Sequence, residues 1–154
     1  MLLYSHSFLS SLFCLVSDSK KRPNNLVLGR FFDNQMMEML ELGLVGYKPI
    51  EDFEGPKISL GAKHAFIFSG QAFEQRSDMQ QVKSLFLDFY RGADVKDLDL
   101  TALNHVICVT ADDEGKRIYM RVYRLVLKKS GSRIPRVELE EIGPSADFEV
   151  RFWQ

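Results

Sequence analysis

Histidines and neighbouring acidic residues are the first places to look for catalysis or metal binding in this sequence. His6, His64 and His105 stand in no catalytic or metal-ligand pattern, so we interpret them as ordinary residues of strand edges or of the surface. Glu140 and Glu141 are adjacent, and adjacent side chains of a strand point to opposite faces. They therefore cannot flank one substrate as the paired carboxylates of a glycosidase do. This pattern predicts no enzyme and no cofactor.

The remaining motifs with chemical potential have simpler explanations. The acidic run from Asp112 to Glu114 lacks the spaced ligands and the terminal Glu of a calcium loop, and a solvated turn explains it better. Cys14 and Cys108 each lie inside an apolar run, so we interpret them as small buried hydrophobic residues in a reducing compartment. Their number and spacing do not fit a zinc site.

Basic residues form the one local anomaly in a chain whose formal net charge is −1. From Lys116 to Arg136 there are eight basic residues and no acidic one, and the end of this run is a Ser, Gly and Pro-rich loop. Such a loop can present its cations to phosphates. A second cluster precedes a predicted strand, and a solvated loop is the alternative for both. The candidate RNA-binding residues are Lys20, Lys21, Arg22, Lys128, Lys129, Arg133 and Arg136.

The chain has 154 residues and 45% hydrophobic content, which is enough for one domain with a substantial core. Its apolar beginning, residues 1–16, has no Lys or Arg before the apolar stretch, which argues against a signal peptide. The stretch is also too short to span a membrane. We predict a buried strand at residues 11–16 instead.

Periodicity predicts a mixed sheet with two packed helices. Asp33 is expected to cap a helix that contains Met36, Met37 and Leu40 and ends at Gly43, with the methionines as core filler. Ser77 is expected to cap a second helix. Its predicted buried face, at three- and four-residue spacing, consists of Met79, Val82, Leu85, Phe86, Phe89 and Tyr90.

Strands are predicted at several apolar segments with turn residues between them. A buried strand is expected at 65–68, and the strand at 118–127, apolar on both faces, is expected to lie centrally in the sheet. Together these segments predict an α/β fold with a mixed, largely antiparallel sheet and packed helices. The other predicted strands are 26–30, 106–110, the segment around Val137 and Leu139, and 148–152.

The two basic segments also carry a family resemblance. Residues 19–30 read Ser-Lys-Lys-Arg-Pro-Asn-Asn-Leu-Val-Leu-Gly-Arg, residues 127–131 read Leu-Lys-Lys-Ser-Gly, and residues 143–147 read Gly-Pro-Ser-Ala-Asp. These motifs resemble the Brix-domain family of ribosome assembly factors. The resemblance implies a Brix-domain-like fold, similar to anticodon-binding domains, with a partial domain at 11–154 and an unassigned start at 1–10. It also leads us to expect truncation at both ends.

The same resemblance implies a function. It suggests a nucleolar, non-enzymatic factor that binds large-subunit precursor rRNA, pairs with regulator of ribosome synthesis 1, and helps to bring 5S rRNA and its ribosomal proteins into the large subunit. No membrane is involved in such a role. The alternative is a protein-interaction module whose basic loops contact an acidic partner and touch no RNA.

Overall fold

A computed structural model describes residues 11–33, 35–58, 64–92, 104–131 and 134–153. Residues 152 and 153 are described by their backbone only. Within these residues the helices are α1 (Ala72–Gln75) and α2 (Ser77–Tyr90), and a 3₁₀ turn occupies Ile50–Asp52. The same described residues form eight strands, β1 (Leu12–Ser17), β2 (Asn25–Phe32), β3 (Gln35–Lys48), β4 (Ala65–Ser69), β5 (His105–Ala111), β6 (Arg117–Lys128), β7 (Arg136–Glu141) and β8 (Ser145–Trp153).

The strands form one eight-stranded sheet in the order β1-β2-β3-β8-β6-β5-β4, and β7 pairs with β6 beside this path. Only the β4–β5 pair is parallel, and the other described pairs are antiparallel. The predicted fold class, a mixed and largely antiparallel sheet with packed helices, is therefore confirmed. The predicted central position of 118–127 is also confirmed, because β6 has β5, β7 and β8 as neighbours.

Helix α2 packs on one face of the sheet and closes the core. Val82, Leu85 and Phe86 are almost completely buried, as the spacing predicts. Ser77 is not the cap, since Arg76 occupies that position in an extended conformation and makes no side-chain capping bond. Asp78 accepts a hydrogen bond from the Met79 backbone N–H instead, at 2.9 Å. The sheet residues of the same core cluster include Leu28, Leu40, Leu42, Ile107, Val109, Ile118, Met120, Val122 and Phe148.

The predicted helix beginning at Asp33 is wrong, because this segment is strand β3. Asp33 has a positive φ of 48° in the turn that follows β2. Leu40 then lies opposite Leu28 and Leu42 opposite Leu26 in the β2–β3 register, so every second residue enters the core. Met36 and Met37, expected as core filler, are exposed.

The two predicted buried strands at 11–16 and 65–68 exist but lie at the edges of the sheet. In the described part of the chain β1 pairs only with β2, and β4 pairs only with β5. Cys14, which was expected to be buried, lies on the edge strand β1 and is exposed. Cys108, on the inner strand β5, is half-buried. Helices long and apolar enough to cross a membrane are absent from the described residues.

Candidate nucleic-acid interface

The first basic loop connects β1 to β2 and is held in a tight turn. Ser19 and Arg22 exchange backbone hydrogen bonds of 3.2 and 3.1 Å. Asp18 Oδ1 accepts a further bond from the Asn24 backbone N–H at 2.9 Å, where Asn24 takes a positive φ of 48°. Lys20 and Lys21 lie exposed at the tip of this turn. The loop therefore presents two lysines from a fixed backbone.

Arg22, the third basic residue of this loop, is already engaged. Its guanidinium donates to both carboxylate oxygens of Glu41 on β3, whose side chain is only 7% exposed. A buried carboxylate needs a charged partner to offset its lost hydration. Arg22 thus anchors the loop to the sheet, and its positive charge is matched by Glu41.

A second anchor comes from Arg151 on β8, which sequence reasoning missed. Its Nη1 donates to the Pro23 carbonyl at 3.0 Å and to Asn25 Oδ1 at 3.1 Å. The guanidinium lies over Gly43, where an added Cβ would stand 2.3 Å from Arg151 Nε. Gly43, interpreted from sequence as a helix stop, instead leaves room for this side chain.

The second basic loop joins β6 to β7, and strand pairing brings an acid onto two of its four cations. Lys128 and Arg136 are opposite each other in the register, and both form ion pairs with Glu138. Arg124 contacts Glu140 at 2.8 Å. The hydrogen bond and ion pair that Lys128 makes with Glu138 raise the pKa of Lys128. Lys128 and Arg136 together lower the pKa of Glu138. The charge segregation along the sequence is therefore partly offset across the hairpin.

Lys129 differs from its neighbours. It is exposed, and no ion pair engages it within the part of the chain that the structure describes. Arg133, the remaining candidate of this loop, lies outside the described residues. Of the seven candidates, Lys20, Lys21 and Lys129 are thus the exposed cations with no acidic partner among the described residues.

The strand register places the two loops on the same side of one row of residues. Asn25, Gly43, Glu149 and Arg117 form one row across β2, β3, β8 and β6. β2 runs antiparallel to β6. The loop that precedes Asn25 and the residues that follow Arg117 on β6 therefore lie on the same side of this row. Lys128 lies about 36 Å further along β6 at the usual rise of a strand. The interpretation from sequence left this relation open.

The histidines are not all ordinary surface residues as predicted. His105 is 2% exposed, and its Nε2 lies 2.7 Å from His64 Nδ1. Its Nδ1 lies 2.7 Å from Asn104 Oδ1, which can only accept, so His105 Nδ1 donates and its Nε2 accepts from His64. Burial and the nearby His64 lower the pKa of His105. His6 lies outside the described residues. Groups of three metal-ligating side chains are absent from the described ranges.

Comparisons with known proteins agree with the resemblance in the sequence. The Brix domain matches residues 1–152 of the chain. Ribosome production factor 2 homologs are 43% identical over 142 residues in Drosophila melanogaster, 46% over 141 in Homo sapiens and 47% over 143 in Caenorhabditis elegans. These alignments cover 92 to 93% of this chain and 44 to 48% of the relatives. The chain therefore spans about half the length of the curated relatives it matches.

Proposed function

Because the chain belongs to the Brix-domain family, we propose that it is a ribosome biogenesis factor for the large subunit that binds rRNA and a protein partner. The names of its relatives, ribosome production factor 2 homologs, support the role in ribosome biogenesis. Within this role it helps to incorporate the 5S ribonucleoprotein particle in the nucleolus. Its partners are regulator of ribosome synthesis 1, 5S rRNA with its ribosomal proteins, and large-subunit precursor rRNA.

The observation that carries the RNA contact is the exposure of three lysines that have no acidic partner among the described residues. Lys20 and Lys21 lie on the loop before β2 and Lys129 on the loop after β6, both on the same side of the row from Asn25 to Arg117. Cations without an acidic partner release counterions when they meet phosphates, whereas a cation in an ion pair must first give up its acid. These three lysines are therefore the principal phosphate contacts, and Arg22, Lys128 and Arg136 contribute less. Arg133 remains in the proposed set.

A protein-interaction module that touches no RNA is the second candidate. The ion pairs of Arg124, Lys128 and Arg136 with the acids of β7 favour it, because they offset part of the positive charge of the β6–β7 hairpin. In this case Lys20, Lys21 and Lys129 contact acidic side chains of a partner. Neither candidate is an enzyme, and the names of the relatives indicate no catalytic activity.

Salt dependence of RNA binding separates the two candidates. The chain is titrated with 5S rRNA over a range of salt concentrations, and the slope of log K against log salt counts the phosphates contacted. Lys129→Ala should flatten this slope, whereas Lys116→Ala should not. Lys116 is a matched control because it is exposed, pairs with Glu114 and lies beyond the opposite end of β6. Equal slopes for both variants would favour the protein-interaction module.

A further inference from the structure

The first basic loop carries a serine directly before its cations. Residues 14–24 are all exposed, so Ser19 is accessible together with the residues on both sides of it. Its Oγ accepts a hydrogen bond from the Arg22 backbone N–H at 3.1 Å, which places the hydroxyl inside the turn. Lys20 and Lys21 follow it, exposed and with no acidic partner among the described residues. Ser19 is therefore an accessible hydroxyl beside two of the proposed phosphate contacts.

A single added group can cancel the charge of this loop. Residues 18–24 contain three cations and one acid, which gives a net charge of +2. A phosphoserine adds a charge of about −1.5 to −2 at pH 7. Its oxygens are strong hydrogen-bond acceptors, and lysine ammonium groups and backbone N–H groups are common partners of phosphates. A phosphate on Ser19 would therefore neutralise the loop from within.

We propose that Ser19 is a phosphorylation site and that its phosphate switches off the RNA contact of the first basic loop. The enzyme is a protein kinase whose acidic subsites recognise the cations that follow Ser19, since charge patterns help kinases to select their substrates. This regulation rests on the proposed function, because it acts on the same lysines, Lys20 and Lys21.

The modification is a phosphoryl transfer from ATP. The Ser19 Oγ attacks the γ-phosphorus, and a P–O ester bond forms while the bond from the γ-phosphorus to the β–γ bridging oxygen breaks. ADP leaves, and the hydroxyl proton passes to the catalytic carboxylate of the kinase. Hydrolysis of the ester by a phosphatase restores the hydroxyl and makes the switch reversible.

The phosphate acts by occupying the lysines before RNA does. A phosphate on Oγ lies next to the Arg22 N–H and one residue from Lys20, so it is an intramolecular ligand with a high effective concentration. An RNA phosphate must displace it and is also repelled by its negative charge. Arg22 stays on Glu41, because its departure would leave that buried carboxylate without a cation. The switch therefore changes the charge of the loop and keeps its anchor.

The first test needs no RNA. The chain phosphorylated at Ser19 is made by incorporation of phosphoserine during synthesis, and a chain phosphorylated at Ser69 is the matched control. Ser69 is exposed on β4, the edge strand opposite β1 in the sheet order. In a ³¹P NMR titration the second pKa of the Ser19 phosphate should lie below its ordinary value of about 6, because nearby cations favour its charged form. Lys20→Ala with Lys21→Ala should bring this pKa back to the value measured at Ser69.

The second test measures the switch itself. Phosphorylation at Ser19 should weaken 5S rRNA binding by about tenfold or more at low salt, and it should flatten the salt slope by roughly two units, the contribution of two lysines. Phosphorylation at Ser69 should leave the slope unchanged. The thermal transition of both phosphorylated chains should match that of the unmodified chain, which excludes unfolding as the cause of weaker binding.

The third test asks whether a kinase modifies this position. The chain is incubated with isotope-labelled ATP and an extract of cells from its own source. Ser19→Ala should lose most of the label that the unmodified chain takes up. Lys20→Ala with Lys21→Ala should also reduce the label on Ser19, because the kinase recognises these cations.

Three outcomes would overturn the proposal. They are an ordinary second pKa of the Ser19 phosphate, a salt slope that phosphorylation at Ser19 leaves unchanged, and equal labelling of the unmodified chain and Ser19→Ala. An unchanged slope overturns the switch alone, since the unmodified chain still binds RNA. Absence of 5S rRNA binding by the unmodified chain would instead overturn the proposed function, and with it the switch.

Discussion

The buried carboxylate of Glu41 on β3 is paired with Arg22, a residue of the first basic loop. The two residues are 19 positions apart in sequence, and Arg22 remains 63% exposed while the Glu41 side chain is 7% exposed. One guanidinium therefore serves the stability of the sheet at the place where the loop offers its lysines to a ligand. Arg151 ties the same loop to β8 from the other side.

This relation predicts that Arg22 and its neighbouring lysines differ in their effect on stability. Arg22→Ala leaves Glu41 buried without its cation, and the free energy of unfolding should fall by about 1–2 kcal/mol, a value reduced for the exposure of Arg22. Lys20→Ala with Lys21→Ala should change it by less than about 0.5 kcal/mol, as for most surface residues. Urea denaturation measures both values. Glu41→Gln in the Arg22→Ala background should restore part of the loss, and no recovery would contradict the pairing argument.

A second prediction concerns the count of phosphate contacts. Lys20→Ala, Lys21→Ala and Lys129→Ala should each flatten the salt slope of 5S rRNA binding by roughly one unit. Lys128→Ala should flatten it less, because its loss leaves Glu138 paired with Arg136. Filter binding at several salt concentrations measures the slopes. A larger effect of Lys128→Ala than of Lys129→Ala would show that the ion pairs of the hairpin open on RNA.

The sequence allows the fold to be predicted where one period dominates. Helix α2 repeats apolar residues every three or four positions over 14 residues, and β6 is apolar on both faces, so neither has a competing interpretation. The segment after Asp33 fits two periods. Met36, Met37 and Leu40 suit a helix, whereas Leu40, Leu42 and Leu44 suit a strand. Only the pairing of Leu40 with Leu28 decides, and that contact is not local.

The candidate site was predictable to a similar extent. Its basic residues are visible in the sequence as clusters, but the acids that neutralise them are visible only through the register of β6 and β7. Arg151 lies 128 positions from Pro23, and Glu41 sits within an apolar run, so no local pattern marks either as a partner of the first loop. Strand pairing creates both contacts.

Core packing gives a third prediction. Leu85 is completely buried on α2, and Leu85→Ala should lower the free energy of unfolding by about 2–5 kcal/mol through lost contacts and a residual cavity. Leu87→Ala is the matched control on the same helix, since Leu87 is 38% exposed, and its cost should be below about 1 kcal/mol. Equal shifts of the urea midpoint in the two variants would show that α2 does not pack on the sheet through Leu85.

The contact between His105 and His64 gives the last prediction, a dependence of stability on pH. The pKa of His105 lies below the ordinary value of about 6.5, because burial and the neighbouring His64 disfavour its charged form. An unfolded chain then binds a proton at His105 before the folded chain does. The stabilising contribution of neutral His105 is therefore present above about pH 6.5 and is lost as the pH falls toward the lowered pKa. Urea midpoints should decrease between pH 7.5 and pH 5.5, and His105→Gln, which keeps a polar side chain at this position, should make the decrease smaller.

The His64→Gln variant is the companion measurement. In that variant the pKa of the His105 ring, measured by NMR titration, should move toward the ordinary value, because one of the two causes that lower it is gone. A His105 ring that titrates normally in the unmodified chain would contradict the buried, neutral state on which this prediction depends.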